Sequence, residues 1–198
     1  AGCITGGVFT TAAKENTNEN LLNENFAFAE NADGTWTVKP AQEQSLVAGW
    51  NWYSSYLKIT LDDLTNALGD NGVQIKNQAA QYKQYRDNLG IWAGSLTAID
   101  LRDMYMVNVK ADQTTQVAAP LAVTEEYTLP INPGWNWIGY PSNVNVDINT
   151  VLTLLTPEKN DLIKTQHKGY AQFNYNKWRG GLKTMLPGEG YMYYSNAT

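Results

Sequence analysis

The tetrapeptide Gly-Trp-Asn-Trp occurs twice, as Gly49-Trp50-Asn51-Trp52 and as Gly134-Trp135-Asn136-Trp137. An active-site motif is normally present once per domain, whereas a duplicated aromatic motif marks a repeated structural unit. The flanking sequence repeats with it. Each copy opens on an apolar strand and continues into a short helical pattern: Leu61, Leu64, Ala67 and Leu68 in one, Ile148, Val151, Leu152 and Leu155 in the other. Asp62 and Asp147 are expected to be N-terminal caps or first-turn acids of these helices.

Ile75-Lys76-Asn77-Gln78 is then answered by Ile163-Lys164-Thr165-Gln166. Strands around Tyr82 to Tyr85 and Tyr170 to Phe173 follow, and Trp92-Ala93-Gly94-Ser95-Leu96 matches Trp178-Arg179-Gly180-Gly181-Leu182. The last strands start at Tyr105 and Tyr191. Pro187-Gly188-Glu189-Gly190 makes the turn before the second of them. The first copy has Leu101-Arg102-Asp103-Met104, which lacks both glycines and predicts a different turn type.

The fold class expected is mainly β with α+β character: two tandem repeats of strand, short helix and three antiparallel strands, preceded by a β-hairpin. Residues 1–25 read as a polar N-terminal arm. Residues 26–44 read as the hairpin, with Phe26-Ala27-Phe28-Ala29 and Trp36-Thr37-Val38 alternating around Asn31-Ala32-Asp33-Gly34, and resemble a truncated copy of the repeat. Repeat 1 spans 45–110 and repeat 2 spans 127–198. Residues 111–126 form a linker in which Leu121, Ala122 and Val123 are a candidate edge strand.

The 198-residue chain is 43% hydrophobic, enough for a core, yet only 17% charged. A net charge of −5 with scattered basic residues argues against a nucleic-acid partner, which requires clustered Lys and Arg. No apolar run approaches the roughly 20 residues of a transmembrane helix. Cys3 is the single cysteine, so no internal disulfide forms. Ala1-Gly2-Cys3 resembles the end of a bacterial lipoprotein cleavage signal; a free thiol near a chain end is the other reading.

Gly-Trp-Asn-Trp, Ile-Lys-x-Gln, Trp-x-Gly-x-Leu and a final Gly-Tyr together resemble a tandem repeat of secreted and surface proteins of Bacteroidetes-like bacteria. The resemblance covers about two thirds of the chain. It implies an extracellular or cell-surface location beside adhesive or carbohydrate-active domains, and no assigned catalytic activity. The first copy departs from the pattern where Met104 replaces the final turn glycine and where Tyr53 stands opposite Ile138.

Within each motif the indoles lie two residues apart and share a strand face. Recurrence in both copies assigns Trp50, Trp52, Trp92, Trp135, Trp137 and Trp178 to the structural core, because cores must recur and ligand sites need not; the other reading of the paired motif indoles is an exposed platform on which a sugar ring stacks. Tyr82 and Tyr85, matched by Tyr170 and Phe173, are assigned to the core on the same ground. Asn51 and Asn136 occupy the opposite strand face and either satisfy an orphan backbone group or present an amide to a ligand.

The candidate ligand-binding residues are Lys76, Gln78, Lys164 and Gln166, as matched long polar side chains, together with Tyr53, Tyr56, Tyr140, Tyr175 and Tyr194. These tyrosines have no aromatic counterpart in the other copy, which frees them from the packing the repeat demands. Catalysis finds little support. His167 is the only histidine, no nucleophile elbow is present, and zinc lacks a ligand set. No catalytic residue, metal ligand or cofactor is therefore assigned. Asp70-Asn71-Gly72 and the acids at Asp100 and Asp103 could hold a structural calcium, although neither matches an EF-hand loop and turn chemistry explains them as well. The expected function is non-catalytic binding of a polysaccharide or glycan, the alternative being a structural or adhesive spacer contacting protein partners and neighbouring domains.

Overall fold

The computed structural model describes residues 4–15, 22–23, 25–122 and 128–197. Cys3, most of the Asn-rich stretch of the N-terminal arm, and Val123 of the candidate edge strand lie outside them. The chain is mainly β, as expected.

Strand β1 (Val8–Phe9), helix α1 (Thr11–Glu15), and strands β2 (Phe26–Glu30) and β3 (Trp36–Leu46) open the chain. β2 and β3 form the expected hairpin, Phe28 facing Val38 across it. The turn is held by Asn31 and Asp33, whose side chains bond Thr35. β3 runs on through residue 45, where a repeat boundary was expected.

The first unit then comprises β4 (Gly49–Tyr53), α2 (Leu61–Leu68), β5 (Gly72–Lys76), β6 (Tyr82–Arg86), β7 (Ile91–Ala93) and β8 (Tyr105–Val109). Thr60, not Asp62, caps α2. The Thr60 hydroxyl accepts from Asp63 N while the Asp63 carboxylate accepts from Thr60 N, a capping box. Asp62 is left as a first-turn acid.

The stretch expected as a linker contains a strand, β9 (Gln113–Ala118), paired antiparallel along β3 from Leu46↔Gln113 to Ala41↔Ala118. Its Thr115 and Val117 are buried, so this Thr- and Gln-rich segment alternates like any half-buried strand. The N-terminal hairpin therefore belongs to a sheet of its own, β1-β3-β2 with β9, rather than to a truncated copy of the unit.

The second unit comprises β10 (Gly134–Ile138), β11 (Val146–Asp147), α3 (Ile148–Val151) continued by a 3-10 turn at Leu152–Leu155, β12 (Leu162–Lys164), β13 (Tyr170–Asn174), β14 (Lys177–Gly180), β15 (Thr184–Met185) and β16 (Tyr191–Ser195). Asp147 caps α3, its side chain accepting from Asn149 N.

The two five-stranded sheets share one connectivity. Their orders are β4-β8-β5-β6-β7 and β10-β16-β12-β13-β14, all neighbours antiparallel. In each, the first strand lies at an edge beside the last. Each sheet covers its own core. Leu64, Leu68, Ile75, Tyr105 and Val107 centre the first, which Leu46 and Val117 of the N-terminal sheet and Ala119 just beyond it complete. Ile148, Leu152, Ile163, Ala171, Trp178 and Tyr191 centre the second.

Candidate functional site

Gly49 and Gly134 start the edge strands at φ +93 and +87, left-handed values that favour glycine. From there β4 and β10 turn the same residues inward, and these are not the tryptophans. Asn51 and Asn136 are buried, as are Tyr53 and Ile138 two positions on. Asn51 Oδ1 accepts from Val47 N at 2.9 Å, and its Nδ2 donates to Val47 O (2.8 Å), Gly49 O (3.1 Å) and Val107 O (3.4 Å). Asn136 repeats the set with Asn132 N and O, Gly134 O and Tyr193 O at 2.9, 2.8, 3.0 and 3.4 Å. The motif's asparagine thus ties down the backbone of the loop that enters the strand, as one of its two readings held.

The core assignment of the motif tryptophans is overturned as a result. Trp50, Trp52 and Trp137 are half-buried and Trp135 is 42% exposed, all on the face turned away from the cores. Trp178 is buried in the second core, and Trp92 packs against the first, in agreement with their assignment. Tyr82 and Tyr170 are also on the outer face, 37% and 56% exposed, contrary to expectation. They pair across the sheets with the outward Lys76 and Lys164, while Tyr85 and Phe173 take the inner side.

At the seam between the sheets, each unit closes the other's edge strand. Gln166 Nε2 donates to Trp50 O at 2.6 Å, and Gln166 Oε1 accepts from Trp52 N at 2.7 Å. Reciprocally, Gln78 Nε2 donates to Trp135 O and Gln78 Oε1 accepts from Trp137 N, both at 2.6 Å. A side-chain amide has the donor and acceptor of a peptide group, and here it takes the place of the missing neighbour strand. One step further on, Ser54 N donates to Gly188 O (3.0 Å) and Gly139 N to Arg102 O (2.7 Å). The seam therefore has approximate two-fold symmetry.

The symmetry fails where the two turns meet. A Cβ built on Gly190 would lie 2.1 Å from Met104 Cγ, so Met104 occupies the space that Gly190 leaves. Met104 is wholly buried. The departure of the first copy from its own pattern is thereby explained: two methionines cannot fit at this point, and two glycines would leave it empty. Ser54 and Gly139 form a second unequal pair. The Ser54 hydroxyl donates to Glu189 O at 2.7 Å, whereas a Cβ at Gly139 would fall 2.5 Å from Leu101 O.

Lysines lie over the outward indoles. Lys76 Nζ is 4.3 Å from the centroid of Trp50, and Lys164 Nζ is 4.3 Å from Trp135 and 5.9 Å from Trp52. Because Lys164 reaches one indole of each unit, the two outer faces converge at the seam. Tyr194 packs edge-on against Trp135 at 5.2 Å.

Of the candidate ligand-binding residues, Lys76, Gln78, Lys164, Gln166 and Tyr194 are brought together on this strip. The amides of Gln78 and Gln166 are engaged in closing the strands. Tyr53 and Tyr140 are instead core residues, 1% and 5% exposed. They lack aromatic counterparts because the two cores are filled differently, not because they are free of packing. Tyr56 is half-buried, its hydroxyl bonded to Ala41 O, and Tyr175 is apart, 89% exposed on the β13–β14 turn. Tyr82 and Tyr170 were missed as surface residues, and for the motif tryptophans the structure favours the exposed platform over the core assignment. Strand parity counted from Tyr53 or Ile138 turns the tryptophans outward, and pairing with Lys76 and Lys164 does the same for Tyr82 and Tyr170.

Beside the seam, Trp52, Gln166, His167 and Glu189 line a recess of about 110 Å³. A wider open cleft of about 490 Å³ lies in the first unit, bordered by Lys58, Asn77, Gln81 and Asp103. Burial, and secondarily Asp100, push the Asp103 carboxyl above its usual range. Asp100 is held below its usual range by the fork in which Arg102 Nε donates to Oδ1 and Nη2 to Oδ2. Burial raises the Tyr105 phenol to about 12. Among the described residues no three His, Cys, Asp or Glu side chains converge as metal ligands would, and no helix is long and apolar enough to cross a membrane. Comparison with protein-family models, curated proteins and solved structures finds no match to the chain.

Proposed function

We propose that the chain is a non-catalytic binding module of an extracellular or surface protein, and that its ligand is a polysaccharide or glycan lying across the seam. The observation that carries this reading is the outward placement of Trp50, Trp52, Trp135 and Trp137 on hydrogen-bonded strands that cannot move independently. A pyranose presents apolar C–H faces that stack on an indole, and an indole already fixed in place loses little entropy on contact. Gln74, Asn108 and Gln172, on the same face by strand pairing, supply amides for hydroxyl groups.

Affinity electrophoresis through gels containing polysaccharides tests it. Retardation that disappears in Trp135→Ala, with the melting temperature unchanged, is the expected result. A folded protein that no polysaccharide retards would end this reading.

The reciprocal closure of the edge strands favours a second reading, a stiff spacer that contacts protein partners. It predicts that the two units yield together when the chain is stretched. Two separate unfolding events would contradict it.

A further inference from the structure

The chain carries 19 Asp and Glu against 14 Lys and Arg, yet the outer face of the two sheets departs from that balance. Strand register fixes which residues point outward. The row of Trp52 runs through Met106 and Lys76 to Tyr82 and that of Trp50 through Asn108 and Gln74 to Gln84; the row of Trp137 runs through Met192 and Lys164 to Tyr170 and that of Trp135 through Tyr194 and Leu162 to Gln172. Five of the outward strand positions are basic: Lys76, Arg86, Lys164, Lys177 and Arg179. None is Asp or Glu. Among the described residues, none of these five cations forms an ion pair. Asp87, the nearest acid in sequence, is taken by Lys110 at 2.6 Å. Two of the five, Lys76 and Lys164, sit directly above the indoles.

We infer that the partner of this face is an anionic glycan, one whose sugar units bear carboxylate or sulfate groups. The inference rests on the glycan reading above and narrows it. An acidic chain repels polyanions unless its positive charges are collected on one surface, and such a surface attracts them by its local field. On binding, the lysine swings off the indole it covers, the sugar face takes its place on the ring, and the ammonium meets the acidic substituent alongside. A polynucleotide, with a phosphate at every residue, requires a denser basic groove than five cations spread over two sheets. A glycan in which charged and neutral groups alternate with apolar faces matches both features.

The test uses the full chain and four probes of matched length: a uronic-acid polymer, a sulfated glucan, a neutral glucan and a single-stranded oligothymidylate. At least one anionic glycan is expected to bind roughly tenfold more tightly than the neutral glucan, and to weaken about tenfold between about 50 and 500 mM salt. The two anionic probes separate carboxylate from sulfate. Joint replacement Lys76→Gln and Lys164→Gln is expected to weaken binding roughly tenfold, while Lys76→Arg with Lys164→Arg keeps it. Equal, salt-insensitive binding of neutral and anionic glucans would overturn the inference and leave the glycan reading standing. Tightest binding of oligothymidylate would overturn it in favour of nucleic acid. If no probe binds, both readings fall.

Discussion

The two five-stranded units have the same connectivity, the same buried asparagine and the same glutamine closure, yet they are not interchangeable. What they share lies in backbone bookkeeping: Asn51 and Asn136 satisfy the same four groups, and Gln166 and Gln78 close the same edge positions. What differs lies at the meeting point and in the cores. Met104 faces Gly190, Ser54 corresponds to Gly139, and the inward residue after the motif is Tyr53 in one unit and Ile138 in the other. Repetition fixed the polar connections, which have few solutions. Apolar volume, which can be filled in many ways, was free to diverge as long as the sum across the seam was kept.

The sharpest way to break this comparison is to make the second unit resemble the first at Gly139. In Gly139→Ala the new methyl meets two backbone carbonyls, Leu101 O at 2.5 Å and Asp103 O at 2.7 Å, which cannot turn aside. A loss of at least about 3 kcal/mol is expected from the urea midpoint. The equality of the two asparagines is tested by Asn51→Ala and Asn136→Ala. Each unpairs a set of part-buried backbone groups and is expected to cost about 1–2 kcal/mol, the two agreeing closely. A large disparity would show that the shared geometry is not shared energetics.

Gly190→Ala tests the unequal pair. It should cost about 1–3 kcal/mol because Met104 must shift, and adding Met104→Ala should recover much of that loss. Simple additivity of the two changes would mean that the contact is not the constraint. The smallest effect belongs to the glutamines. Gln166→Ala, half-buried, is expected to cost about 1–1.5 kcal/mol and the more exposed Gln78→Ala about 0.5 kcal/mol. The reverse order would show that exposure does not set the strength of this closure.

Much of the fold was legible. The duplicated motif, the apolar spacing of α2 and the Asn-Ala-Asp-Gly turn each have a local physical cause, and each marked its element. The candidate site was legible only in part, because a strand's two faces differ by one residue of register. Hydrophobicity alone would send the tryptophans inward. Asn51 goes in instead, since its amide is fully bonded there and since Tyr53, Val107 and Ile75 share its side of the sheet. The roles of Gln78 and Gln166 were hidden for another reason. Their partners are more than 50 and more than 110 residues away, and no local pattern encodes so remote a bond. Strand β9 was missed because Thr and Gln dominate it, although its alternation is regular once Thr115 and Val117 are seen to be buried.

The glutamine closure also gives the molecule a direction in time. Trp52 N waits for an acceptor that lies 114 residues later in the chain. At about 5–20 residues per second, a ribosome makes that stretch in roughly 6–23 s. Over the last 47 of those residues, from Ala119 to Gln166, the first unit has the residues of its core but an open flank, a strand with peptide groups free to pair with an extended segment nearby. A nascent chain stalled short of Gln166 therefore leaves the edge of β4 unpaired, the edge that the second unit covers once it is made.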